Sequence, residues 1–356
     1  MLIDASVHPV VETADQLRDY MDMPWKKRVF SPVHRYSYSS PASEFWEPAR
    51  TGHGLPGSDV GHAAQTLFDD NRVDVAVLLP LTRGINMDSA VSTAVCAATN
   101  DWLADVWLGS ANEHGRFKGT IRVNPRDPKG AEAEIKRWAD HPHMVQVGVP
   151  TMALAPYGEP QYAPIWEAAA AAGLPVAVHV DGGSGLEFPT SPVGSFNSHI
   201  EWSTFMSANG VYHLASLIVH GVFERVPELR FVFADGGIDL AVPMIWRMIA
   251  DYRAGTDLHP WSQKSPPDYL RPHVRFVSNR MEGPTESADW AQWLQVTDAT
   301  NLLLYGSDYP HWTYALPAAL EDAGDARERI LGANAAAFYP RLDAADRETT
   351  QEGSPA

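Results

Sequence analysis

The stretch Pro175-Val176-Ala177-Val178-His179-Val180-Asp181-Gly182-Gly183 is a short valine-rich run that ends abruptly on an imidazole, a carboxylate and two glycines. An apolar run of this length without alternation fits a strand buried on both faces, as in a parallel sheet. The same grammar recurs on either side. Short β-branched runs at residues 2–6, 73–79, 117–123, 144–149, 229–234, 273–278 and 302–305 are separated by helix-forming stretches such as 131–140, 165–172, 240–252 and 287–296. With 175–180 this makes eight β units with interleaved helices, which fits a (β/α)8 TIM barrel better than an open doubly wound sheet. No Gly-x-Gly-x-x-Gly follows the first run, and that weakens a dinucleotide-binding reading further.

The length of 356 residues suits one large barrel, expected over 1–342. Two stretches, about 24–61 and 182–201, break the alternation and read as long irregular βα loops. Residues 343–356 are polar and read as a disordered tail. The balance of 27 basic and 44 acidic residues gives −17, which argues against nucleic-acid and membrane-surface partners. The single cysteine, Cys96, excludes an intramolecular disulfide and a cysteine zinc cluster, and its helical-looking context reads as packing. Neither a secretory signal nor a membrane-spanning stretch is apparent, so a cytoplasmic setting is expected. Most of the 12 tryptophans read as core or interface residues.

In a barrel of this kind the chemistry gathers where the strands end. The first strand ends in Ser6-Val7-His8, with Ser6 and His8 on one face by alternation. The fifth ends on His179, the sixth on Asp235, and the eighth on Asp308, three residues before His311. A lone histidine in a strand is by default a hydrogen-bonded core residue. Two histidines and two aspartates at four strand ends instead offer the donors of a divalent cation, with zinc, iron and manganese all admissible.

At this point the chain resembles the amidohydrolase-related family that contains aminocarboxymuconate-semialdehyde decarboxylase and γ-resorcylate decarboxylase. The resemblance is carried by Ile3-Asp4-Ala5-Ser6-Val7-His8-Pro9, Val178-His179, Gly221-Val222-Phe223-Glu224-Arg225-Val226-Pro227, Ala234-Asp235-Gly236-Gly237 and Gly306-Ser307-Asp308-Tyr309-Pro310-His311-Trp312. It implies a metal-dependent barrel in which His8, His179 and Asp308 are ligands, with Asp235 over the site. Zinc is the cation it favours. Asp308 then doubles as ligand or general base, and Asp235 is the second catalytic candidate, its other reading being a cap on the following helix. Ser6 departs from the pattern, because the family places a histidine, glutamate or aspartate there.

Six further polar residues are weaker candidates. His311 could brace Asp308, whereas His220 sits before Gly221 at an expected helix end. Arg247 and Arg280 could pair with a substrate carboxylate, with surface salt bridges as the alternative. His199 and Glu201 fall at the end of the second irregular stretch, where they could reach the mouth or a neighbouring subunit.

The resulting expectation is a metal-dependent decarboxylase or hydrolase acting on a small organic acid or amide, as a homo-oligomer or with a paralogous subunit. The alternative is a subunit of a heteromeric non-heme hydroxylase or oxygenase, serving as the structural partner if the serine has degraded the site.

Overall fold

Eight parallel strands pair in sequence order around a barrel: β1 (Ile3–Val7), β2 (Val75–Leu78), β3 (Phe117–Arg122), β4 (Met144–Pro150), β5 (Val176–His179), β6 (Phe231–Phe233), β7 (Val274–Val277) and β8 (Leu303–Leu304). The ring is drawn together where Ala5 N–H donates to the Tyr305 carbonyl at 2.9 Å and Asp308 N–H to the Ser6 carbonyl at 3.0 Å. The computed structural model describes residues 1–13, 15–27, 45–81, 88–181, 194, 198–255, 259–279, 283–284 and 286–342. Residues 28–44 and most of 182–197, within the two expected loops, lie outside the described residues, as does the expected tail.

Helices return the chain between strands: α1 (Val60–Ala64), α2 (Ser89–Trp102), α3 (Pro128–Trp138), α4 (Ala163–Ala171), α5 (His199–Val219), α6 (Val222–Arg225), α7 (Ile238–Ala254), α8 (Leu270–His273), α9 (Trp290–Thr297), α10 (Ala299–Leu302) and α11 (Asn334–Phe338). Their starts follow local chemistry. The Asp88 carboxylate accepts the N–H groups of Ala90 and Val91, and Asp127 caps α3 ahead of Pro128. The second irregular stretch ends sooner than expected. Ser198 and Glu201 form a reciprocal capping box, so His199 and Glu201 belong to the first turn of α5 and not to a loop.

The strands bury both faces, and their residues divide accordingly. Leu78, Phe117, Ile121, Val147, Val176, Phe231 and Phe276 pack outward against the helices. Ile3, Ala5, Val77, Val145, Ala177, Val232, Val277 and Leu304 fill the barrel, joined by Phe338 and Tyr339 from the C-terminal helix. Each fully buried valine, leucine, isoleucine or phenylalanine among them stabilises the fold by roughly 1.5–3 kcal/mol. This rigid double layer holds the strand ends in fixed positions. Among the described residues, no helix is long and apolar enough to cross a membrane.

Candidate metal centre

Strict alternation from Ile3 and Ala5, both facing the interior, would turn Ser6 and His8 outward. The register between β1 and β2 shifts between Asp4 and Val7, and Val7 packs on the outer side. One irregularity thus reverses the alternation and aims Ser6 and His8 into the barrel mouth. Room for the turn comes from Gly306, where a Cβ would lie 2.9 Å from the Ser6 Cβ and run into Val277.

Two backbone carbonyls decide which nitrogen each histidine presents. His8 Nδ1 lies 2.9 Å from the Leu79 carbonyl oxygen, and His179 Nδ1 lies 2.6 Å from that of Val180. A carbonyl only accepts, so in both rings Nδ1 carries the proton and Nε2 keeps its lone pair. The rings approach to 4.6 Å between centroids. Asp308 reaches them from the segment after β8 through a left-handed backbone, φ 61°, a conformation aspartate tolerates better than most residues. Donor atoms of His8, His179 and Asp308 all lie within 4.8 Å of one another, and all three residues are buried.

The electrostatics favour the ligating forms. Burial alone would raise the Asp308 carboxyl, but the charge and hydrogen bond of His311, and then those of His8, hold it well below the usual carboxylate range. His311 donates Nδ1–H to Asp308 Oδ1 at 2.9 Å, and the Thr313 hydroxyl donates to Oδ2. Burial, reinforced by His8, holds His179 well below its ordinary value, so its ring stays neutral. Metal binding therefore displaces no proton from His179 or Asp308 near neutral pH.

The residues fit a divalent cation. His179 Nε2 is buried and makes no hydrogen bond among the described residues. His8 Nε2 and Asp308 Oδ1, both lone-pair donors in the neutral-imidazole form, face each other at 3.2 Å, a contact that calls for a proton or a cation between them. Two imidazoles and a carboxylate are a donor set used for zinc, iron and manganese. The Ser6 hydroxyl sits 3.2 Å from His8 Nε2, at the edge of the same space.

Asp235 also belongs to the mouth. Its Oδ1 is 3.3 Å from His179 Nε2, and its Oδ2 accepts the Val180 N–H at 2.5 Å, bracing the end of β5. The cap position of α7 is Gly237, so Asp235 does not cap that helix. His311 stacks beside His8 at 4.9 Å and completes the cluster.

Two candidates lie elsewhere. His220 caps the C-terminus of α5 with Nε2 3.9 Å from Glu159 Oε1 on the outside of the barrel. Arg247 projects from α7 into solvent and pairs with Asp251 at 3.6 Å. In both cases the structure shows the alternative that the sequence left open, a helix end for His220 and a surface salt bridge for Arg247, and neither residue lies in the His8, His179 and Asp308 cluster. Arg280 lies outside the described residues. Cys96 is buried and its thiol is pushed up to about 12 by that burial, as befits packing.

Sequence reasoning missed Arg122, Asp181 and Asn279. Arg122 ends β3 and pairs with Asp181 at 2.7 Å, both buried, while Asn279 follows β7 with its amide atoms buried and making no hydrogen bond among the described residues. The signal was available, since each is a polar side chain at a strand end, the criterion that found His8 and His179.

The fold recurs in known proteins. A 5-carboxyvanillate decarboxylase from Sphingomonas paucimobilis is 23% identical over 95% of this chain and 98% of its own, with a TM-score of 0.67. An amidohydrolase from Mycobacterium avium subsp. paratuberculosis K-10 is 19% identical over the same shares, with a TM-score of 0.73. A dihydroxybenzoic acid decarboxylase from Polaromonas sp. JS666, solved with manganese and 2-nitroresorcinol bound, is 16% identical over 95% of this chain and 96% of its own, with a TM-score of 0.62. Among curated proteins, none matches by sequence. The amidohydrolase family profile matches residues 3–341, across all eight strands, and the chain belongs to that family.

Proposed function

We propose that the chain is a divalent-metal-dependent decarboxylase of a small organic acid, with an aromatic acid as the favoured class. The observation that carries this reading is the buried convergence of His8, His179 and Asp308 at three strand ends. Structural relatives that decarboxylate 5-carboxyvanillate and 2,6-dihydroxybenzoate support the reaction type, and the manganese in one of them supports a divalent cation.

When bound, such a cation supplies a positive charge that polarises substrate oxygens and lowers the pKa of water. His8 and His179 hold it through Nε2, their tautomers fixed by the Leu79 and Val180 carbonyls. Asp308 adds a carboxylate kept ionised by His311. Cleavage of the bond to the carboxyl carbon releases carbon dioxide and leaves an electron pair on the carbon that bore it, which must take up a proton. Asp235, facing His179, and His311, facing Asp308, are the side chains placed to hold that proton.

Elemental analysis of purified protein and assays of carbon dioxide release from a hydroxybenzoate panel test the proposal. His8→Ala and His179→Ala are each expected to reduce bound metal at least several-fold and to abolish turnover. Unchanged metal stoichiometry in both variants would remove the assignment. Hydrolysis of amides or lactones without carbon dioxide release would make the chain a hydrolase, and oxygen uptake with iron would make it an oxygenase.

A further inference from the structure

The buried pair at the ends of β3 and β5 has a design that a structural ion pair does not need. Arg122 is opposite Gly148 in the β3–β4 register, and Gly148 is opposite Ala177 in the β4–β5 register. These two small residues leave a trough across the inner face of the barrel. A Cβ on Gly148 would lie 3.0 Å from Arg122 Nη1, so the guanidinium fills the space that this glycine leaves. Along that trough the arginine climbs from the level of Ala177 to Asp181, past the level of His179. Asp181 follows His179 by two residues, so the pair lies at the end of the barrel where the candidate ligands gather.

Among the described residues, only Nη2 of Arg122 is engaged by a side chain, at 2.7 Å from Asp181 Oδ2. Nε and Nη1 are buried and make no hydrogen bond among the described residues. A buried guanidinium is costly, and one ion pair at best breaks even against its desolvation unless the remaining N–H groups are also met. Each buried donor left unmet costs about 1–3 kcal/mol. Packing offers no return for that cost, because a methionine in the same trough would avoid it. A ligand with anionic oxygens would meet those donors with charge-assisted hydrogen bonds.

We propose that Arg122 selects an anionic substrate: its guanidinium, steadied by Asp181, receives a carboxylate of the small acid in the barrel mouth. The inference rests on the reading of the mouth as an acid-processing site, and it adds the residue that distinguishes an acid from its neutral counterpart. Asp181 is then a positioning residue that orients the guanidinium from one side and leaves the other for the ligand.

Calorimetric titration of benzoate, 2,6-dihydroxybenzoate and neutral resorcinol into manganese-loaded and metal-free protein tests this. Arg122→Met is expected to weaken both carboxylates at least tenfold in either form and to leave resorcinol within twofold of wild type. Arg122→Lys should recover part of the loss, because it keeps a charge without the planar fork. Since Arg122→Met removes the guanidinium that pairs with the buried Asp181 carboxylate, the double variant Arg122→Met with Asp181→Asn provides a folded control in which both charges of the pair are gone. Asp181→Asn alone should weaken carboxylate binding less than Arg122→Met does, because its amide oxygen still accepts from Nη2. Carboxylate affinity within twofold of wild type in the double variant overturns the proposal, as does a wild-type protein that binds neither carboxylate. The two readings fail separately. Decarboxylation with an unchanged KM in Arg122→Met removes the anchor and spares the activity, whereas Arg122-dependent binding without turnover spares the anchor and removes the decarboxylase.

Discussion

Asp4 stands four residues before His8, wholly buried behind the mouth, with Oδ1 accepting N–H groups from Ser307 at 2.9 Å and Ser6 at 3.2 Å. It ties β1 to the segment that carries Asp308. Burial pushes its carboxyl up to about 6, against the opposing pull of those hydrogen bonds. The native state thus holds this proton more tightly than the unfolded chain, whose aspartates titrate near 3.9. Its stabilisation is complete below about pH 4 and is lost as the pH rises through about 6. Asp4→Asn keeps the acceptor and removes the titration. Relative to wild type, the variant should gain on the order of 2–3 kcal/mol between pH 4 and pH 7, most of it by pH 6.5. Parallel stability–pH curves for the two proteins, measured by denaturant melts, would show that Asp4 carries no such penalty. Asp4 was legible only as part of a motif. Its role depends on Ser307, 303 positions away, and no local pattern encodes that contact.

At the scale of elements, every strand lies within two residues of its expected position, because runs buried on both faces announce themselves by continuous hydrophobicity. The helix α5 was less legible. Its apolar residues Ile200, Met206, Val211, Leu214, Leu217 and Ile218 run around much of the cylinder, so no clean stripe marks its start. What fixes it is tertiary. His213, buried in its middle, donates Nε2–H to the Thr151 carbonyl at 2.7 Å, accepts the Tyr157 N–H at 3.2 Å and stacks on the Tyr157 ring at 4.1 Å. Burial lowers His213 from 6.5 to about 4. The unfolded chain takes up this proton first as the pH falls, so the contribution is present above about 6.5 and lost towards about 4. The full effect is on the order of 3 kcal/mol. His213→Gln should therefore cost about 2 kcal/mol at pH 7.5 through its altered hydrogen bonds, with the deficit shrinking at pH 5. A deficit of equal size at both values, read from denaturant midpoints, would show that the ring's neutrality contributes nothing.

Across the whole molecule, the three candidate ligands come from β1, β5 and β8, so one cation would join the two ends of the sheet to the strand across the barrel. The unfolded chain scatters these residues and cannot reproduce the site, so binding should stabilise the native state by mass action, about 2.7 kcal/mol at a free concentration one hundred times Kd. A net charge of −17 complicates the readout, because it also gathers cations loosely around the protein. Salt separates the two effects. The diffuse atmosphere is screened within roughly 3 Å at 1 M ionic strength, whereas buried coordination is not. In 1 M sodium chloride, manganese or zinc should still raise the melting temperature by several degrees over chelator-treated protein. The increment should vanish in His179→Ala, which loses a ligand, and persist in Arg122→Met, which loses none. An increment that disappears with salt in the wild type, or survives in His179→Ala, would place the cation outside the barrel mouth and detach the chemistry from His8, His179 and Asp308.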